Sequence, residues 1–240
     1  MKILVPLYGV TCYLFGVTAL LGWIAAMEGV LPFNLANVEY SGNMSYAAAI
    51  GLMLLFGLQH SIMARQGFKE KLTRIIPEAA ERATYVLGTA ITIWFMLLFW
   101  PADPSIVWQV EGTNLRYGLI GISVLGFTYL FIATFAINHF ELFGLQQVYL
   151  YFKGEPMKPV PFKEMLMYRF DRHPIMTGAL VGSWVTPEMT TDHLLFSAML
   201  TVYIIVGVSF EERDLRANLG KVYHDYASRV RSLVPAFLNR

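Results

Sequence analysis

The sequence predicts an all-α integral membrane protein with four transmembrane helices. A C-terminal helical hairpin raises the count to five or six membrane segments, and a cytoplasmic amphipathic helix closes the chain. Three observations predict this fold. The 240 residues are 56% hydrophobic and only 15% charged, too apolar for an ordinary soluble domain. Leu4–Met27, Tyr46–Ala64, Ala83–Trp100, Tyr117–Ile137 and Leu194–Phe210 each lack Asp, Glu, Lys and Arg for 17 residues or more, enough or nearly enough to cross a bilayer as a helix. Of the 18 Lys and Arg residues, only Arg116 falls outside the segments that alternate onto one side. The positive-inside rule makes that side cytoplasmic and puts both termini there.

Taken in order, the first stretch follows Lys2. Its apolar run exceeds 20 residues and has no clear small-x-small cleavage site, so it reads as a retained helix, not a signal peptide. It holds Cys12, the single cysteine, which can form no intrachain disulfide and reads as a small buried apolar residue. Loop 28–45 has no Lys or Arg and carries Asn, Gly and Pro as turn residues. The second stretch contains Gln59 and His60 about a turn before the basic segment 65–82. Asn138 and His139 stand where the fourth stretch ends. Segment 138–173 is the longest non-membrane piece before the tail, and Lys153-Gly154-Glu155-Pro156 and Pro159-Val160-Pro161 break any continuous helix in it.

The hairpin opens with Pro174–Val185, 12 uncharged residues that reach roughly 18 Å as a helix and span only with help. After the last apolar stretch, Leu215, Leu219, Val222, Tyr226, Val230 and Leu233 recur every three or four residues. They predict one amphipathic helix over 211–232, stopped by Pro235. Nothing signals an appended soluble domain or an internal repeat, so residues 1–240 read as a single domain. No nucleic-acid partner is expected, and no Cys/His cluster is present to hold a metal.

The predicted topology sorts the polar residues. His60, His139, His173 and His224 fall on or near the cytoplasmic side, which points to one polar pocket near that face. Ionisable groups at membrane depth usually face a bundle interior or a wet cavity, although a lone His near a helix end also serves as an interfacial residue. Pro174 suits the first turn of a helix, where its missing N–H costs nothing. Arg172 and His173 at the same helix mouth add an anion site fit for a carboxylate or phosphate. Glu211 and Glu212 read either as a solvated helix end or as a carboxylate pair for ribose hydroxyls or an ammonium group. Tyr223 and Tyr226 read as interfacial anchors.

Those residues carry a resemblance. Tyr168, Arg172-His173-Pro174, Gly178, Glu211-Glu212-Arg213-Asp214-Leu215, Tyr223-His224-Asp225-Tyr226 and Val234-Pro235 agree in order and spacing with the isoprenylcysteine carboxyl methyltransferase superfamily of membrane enzymes. The resemblance implies an S-adenosylmethionine site lined by Tyr168, His173, Pro174, Met176 and Glu211. Arg172, Glu212 and Gln147 complete the candidate cofactor set, within a cofactor-binding part at about 138–235. Gly207 stands where the prenylcysteine branch uses an Arg, so a prenylated protein substrate is not expected. Phe56 to Arg65, Asn138 to Gln147 and Asp171 to Gly178 are similar to the NnrU-like branch, and the whole chain resembles its bacterial methanethiol S-methyltransferases. That implies methyl transfer from S-adenosylmethionine to a small volatile thiol, methanethiol, to give dimethyl sulfide at the bacterial inner membrane.

The chemistry fits the residues at hand. Methyl transfer from a sulfonium needs alignment, a dry site and a deprotonated nucleophile. A thiol titrating near ~8.5 or above is mostly protonated at neutral pH. His60 or His139 is therefore the candidate base, with Asn138, Gln59 and Gln147 positioning groups nearby. An apolar thiol can enter from the lipid bilayer and a charged cofactor from the cytosol. Another thiol or a lipid headgroup as acceptor, and a non-enzymatic NnrU-like transporter or haem-related accessory protein, stay open at this point. A homo-oligomer is compatible with the sequence.

Overall fold

A computed structural model describes residues 2–157 and 162–233. Lys158, the Pro159-Val160-Pro161 stretch, Val234 and Pro235 lie outside the described residues. The elements run α1 (Leu4–Met27), α2 (Asn43–Met63), α3 (Gln66–Leu72), α4 (Glu78–Phe99), β1 (Ile106–Gln109), α5 (Thr113–Ile137), α6 (His139–Leu142), α7 (Leu145–Lys153), α8 (Pro174–Trp184), β2 (Glu188–Thr190), α9 (Thr191–Leu219) and α10 (Lys221–Arg229), with a 3-10 turn at Leu166–Arg169 before α8. Helices α1, α2, α4, α5 and α9 are long and apolar enough to cross a membrane.

The five long apolar helices bear out an all-α membrane protein, and two local features depart from the sequence reading. The chain is not purely helical, because β1 and β2 pair antiparallel. These short loop segments satisfy their backbone groups across the pair, and the Trp108 Nε1–H donates to the Thr186 carbonyl at 3.2 Å. The tail is not one helix. Glu211 and Glu212 belong to α9, which continues to Leu219 because the residues after Phe210 are mostly good helix formers. Gly220 then turns the chain at φ 55°, a left-handed conformation that suits glycine. Only after that break does α10 begin.

The chain divides into two compact units, Met1–Ala102 with Asn138–Pro161, and Asp103–Ile137 with Phe162–Arg240. In the first, α1 packs along α4 and α7. Gly16 permits the close approach, since a Cβ there would lie 2.6 Å from Val86 Cγ1. In the second, α5 and α8 share a small-residue seam, where a Cβ on Gly178 would lie 2.5 Å from the Gly126 carbonyl oxygen. Helix α8 has 11 residues, about 16 Å at ~1.5 Å each, and its end needs partners. The Ser183 carbonyl accepts from His193 Nε2 at 2.8 Å and from the Ser197 hydroxyl at 3.0 Å. His193 is thus a buried partner for an end-of-helix carbonyl.

Candidate functional site

In the second unit the site grows from the junction between the 3-10 turn and α8. Asp171 is fully buried. One carboxylate oxygen accepts the His173 backbone N–H at 3.0 Å, and the other accepts the Tyr129 hydroxyl at 3.3 Å. The Arg172 N–H meets the Arg231 carbonyl at 2.8 Å. These bonds set the backbone from which the Arg172 and His173 side chains depart, just ahead of Pro174 at the first position of α8.

Both side chains meet the carboxylates of α9. Arg172 Nε donates to Glu212 Oε1 at 2.7 Å, while Nη1 donates to the Ala227 and Val230 carbonyls at 3.1 and 2.5 Å. His173 Nε2 lies 2.9 Å from Glu212 Oε1, and Nδ1 lies 3.4 Å from Glu211 Oε2. Burial alone would push this imidazole down. The two carboxylates outweigh it and hold it up at about 9, so near neutral pH it is an imidazolium donating from both nitrogens. Glu212 also accepts the Tyr223 hydroxyl at 2.9 Å and Arg216 Nη2 at 3.2 Å. A buried carboxylate needs such pairing.

The paired acids therefore differ. Glu212 is 12% exposed and tied to four donors, whereas Glu211 is 46% exposed and bonded to the imidazolium. Glu211 is the carboxylate presented outward. The Tyr168 phenol is pushed up by burial and by the Glu211 charge, so it stays a neutral donor and acceptor. Pro174 is buried, and Met176, two residues into the same helix, is half-buried. Seven of the eight cofactor candidates, Tyr168, Arg172, His173, Pro174, Met176, Glu211 and Glu212, belong to this unit, and the eighth, Gln147, belongs to the first.

Tyr223 and Tyr226, read from the sequence as interfacial anchors, are 1% and 2% exposed. Tyr223 bonds Glu212, and the Tyr226 hydroxyl donates to the Tyr168 carbonyl at 2.6 Å. Burial pushes both phenols up. Their rings pack with Phe162 and form part of the frame around the charged cluster.

The first unit holds the other candidates. His60 stands between Tyr85 and Thr89 of α4: Nε2 lies 2.6 Å from the Tyr85 hydroxyl and Nδ1 3.1 Å from the Thr89 hydroxyl. Gln59 accepts from Thr92 at 3.5 Å and donates to the Met63 sulfur at 3.1 Å. His139 is 2% exposed, with Nε2 3.0 Å from the Tyr13 hydroxyl. Burial pushes it down, toward the neutral form. Asn138 caps α6, accepting the Glu141 N–H at 3.4 Å and donating to the Glu141 and Gln146 side chains at 3.0 and 2.6 Å. Gln147 donates to the Glu141 carbonyl at 2.9 Å, and its buried Oε1 has no hydrogen-bond partner among the described residues. Asn138 and Gln147 thus share Glu141, while His60 bonds a separate set.

Sequence reasoning missed Asp171, Tyr129 and Tyr85 as parts of these clusters. Asp171 left a signal, since an acid just ahead of a Pro-initiated helix is a common start feature. Tyr85 and Tyr129 left none, because a tyrosine inside an apolar run looks the same whether it faces lipid or a buried partner.

Among known proteins, the chain is 41% identical to the methanethiol S-methyltransferase of Mycobacterium tuberculosis, over 98% of this chain and 97% of that one. It is 39% identical to methanethiol S-methyltransferase 1 of Bradyrhizobium diazoefficiens, over 98% and 83%. Nurim from Sus scrofa is more distant, at 28% over 81% and 73%. No family model matches the chain, and no solved structure does. With the relatives aligned over nearly its whole length, the chain belongs to the methanethiol S-methyltransferase family.

Proposed function

We propose that this protein methylates methanethiol to dimethyl sulfide with S-adenosylmethionine as methyl donor. The observation that carries the cofactor assignment is the outward Glu211 carboxylate held against the buried His173 imidazolium. A cationic donor bearing hydroxyl and ammonium groups suits an open carboxylate, and the neutral Tyr168 phenol adds a donor and acceptor beside it. Tyr168, His173, Pro174, Met176 and Glu211 are assigned to cofactor contact, with Arg172 and Glu212 as the ion-paired frame. When bound, S-adenosylmethionine supplies the electrophilic methyl group.

On the acceptor side, His60 and His139 are the candidate groups for taking the thiol proton, with Asn138 as a positioning residue. The neutral form favoured at His139 has the lone pair that this role requires. We place the protein in the bacterial inner membrane with four crossings, a C-terminal hairpin and both termini in the cytoplasm. The charge distribution of the loops supports that orientation.

Incubating purified protein with methyl-labelled S-adenosylmethionine and a panel of thiols and lipids tests the proposal. Labelled dimethyl sulfide in the headspace is the expected result. Label in a lipid extract with none in the volatile fraction would overturn the thiol assignment.

A further inference from the structure

The polar groups between α2 and α4 determine which nitrogen of His60 carries its proton. The Thr89 hydroxyl has a single hydrogen, and it donates that hydrogen to the Tyr85 carbonyl at 3.1 Å. Toward His60 Nδ1, 3.1 Å away, Thr89 can then only accept. Nδ1 therefore bears the N–H. In the neutral ring Nε2 is left with its lone pair, which receives the Tyr85 hydroxyl at 2.6 Å. Both ring nitrogens are engaged, and a substrate proton can reach Nε2 only through the Tyr85 oxygen. The ring is also held in place, stacked on Phe56 with centroids 5.4 Å apart. Tyr85 is held in turn by the Arg82 guanidinium, 4.7 Å from its ring centroid. Phenol oxygens accept as well as donate hydrogen bonds.

We infer that Tyr85, not His60, is the group that meets the thiol, and that it passes the proton on to His60. This rests on the thiol methyltransferase reading above. In the step, the thiol S–H bond breaks and its electron pair stays on sulfur as thiolate. The proton goes to the Tyr85 oxygen as the original phenol proton moves to His60 Nε2. Tyr85 ends neutral, His60 ends as imidazolium, and the thiolate is the nucleophile for methyl transfer. Tyr85 is then a catalytic residue. His60 and Thr89 act through it as positioning residues, Thr89 by holding the Nδ1–H tautomer.

The test compares methanethiol with trifluoroethanethiol, a small thiol acidified by its fluorines and so less dependent on a base. Tyr85→Phe should lower turnover of methanethiol by roughly a hundredfold or more, the usual scale of general-base catalysis, with a much smaller loss for the acidic thiol. S-adenosylhomocysteine binding should be unchanged. Equal losses for both thiols, or lost S-adenosylhomocysteine binding, would reduce Tyr85 to a packing role and overturn the relay. Nitrogen NMR of histidine-labelled protein gives a readout independent of turnover. His60 should appear as the Nδ1–H tautomer in the wild type and lose that preference in Thr89→Val, and an Nε2–H tautomer in the wild type would overturn the inference even if Tyr85→Phe fails to fold. Wild-type protein inactive on both thiols would defeat the proposed function itself, and that outcome is visible without any variant.

Discussion

His173 and His60 both sit on partners drawn from another helix, and the two clusters handle burial in opposite ways. Around His173 the partners are charged: two carboxylates, a guanidinium and a second arginine at the edge. Around His60 they are the hydroxyls of Tyr85 and Thr89. A charged network holds fixed charge and can present a carboxylate outward in a defined place. A network of hydroxyls and a ring nitrogen instead gives each proton two neighbouring acceptors, which suits moving one. In the proposed function the two clusters take different tasks, binding a charged donor and handling a thiol proton.

The sharpest way to break the contrast is to remove the centre of the charged network. Glu212→Ala leaves Arg172 and His173 buried without their main counter-charge, a loss of about 3–5 kcal/mol where a buried pair is broken from one side. Chemical unfolding in detergent micelles should show it. Glu211→Ala removes the more exposed carboxylate and one of the two partners of His173, so it should lower the unfolding midpoint less than Glu212→Ala while weakening S-adenosylhomocysteine about 10- to 100-fold, the scale of a hydrogen bond to a charged group. If the two variants behave alike in both assays, the division of the Glu pair is wrong.

The pH dependence separates His173 from His139, the buried histidine of the first unit. His173 is held up at about 9, above an unfolded value near ~6.5. Its stabilisation is fully present below the unfolded value and is lost as pH rises through about 9. His139 is pushed down by burial, so its contribution is present above the unfolded value and is lost as pH falls through the lowered one. Thermal unfolding across this range should show an alkaline limb that flattens in His173→Gln and an acidic limb that flattens in His139→Gln. The smallest expected effect is at Tyr226→Phe, which deletes the bond to the Tyr168 carbonyl and should cost about 1 kcal/mol, with weaker cofactor binding if that bond places Tyr168.

Much of this was legible in the sequence because membrane burial is recorded in composition. The helix that follows Lys2 agrees with its uncharged stretch residue for residue, and the five long apolar runs all became long helices. The candidate motifs were legible too, since Arg172, His173 and Glu212 are charged groups in an apolar context. Their division of labour was not. Adjacent glutamates on one helix look equivalent in one dimension, and only the approach of Arg172, His173, Tyr223 and Arg216 to the second makes Glu211 the open one.

What the sequence determined by itself is what local chemistry dictates: which segments are apolar enough for a membrane and where Pro174 starts a helix, whereas the break at Gly220 came only with the structure. Whether a tyrosine faces lipid or a buried carboxylate, and which histidine nitrogen carries a proton, depends on groups many residues away. Tyr129 meets Asp171 across 42 positions, and His60 meets Tyr85 across 25. Only the tertiary structure decided these, because a hydrogen bond is specified by distance and direction in space, and neither is encoded in the spacing along the chain.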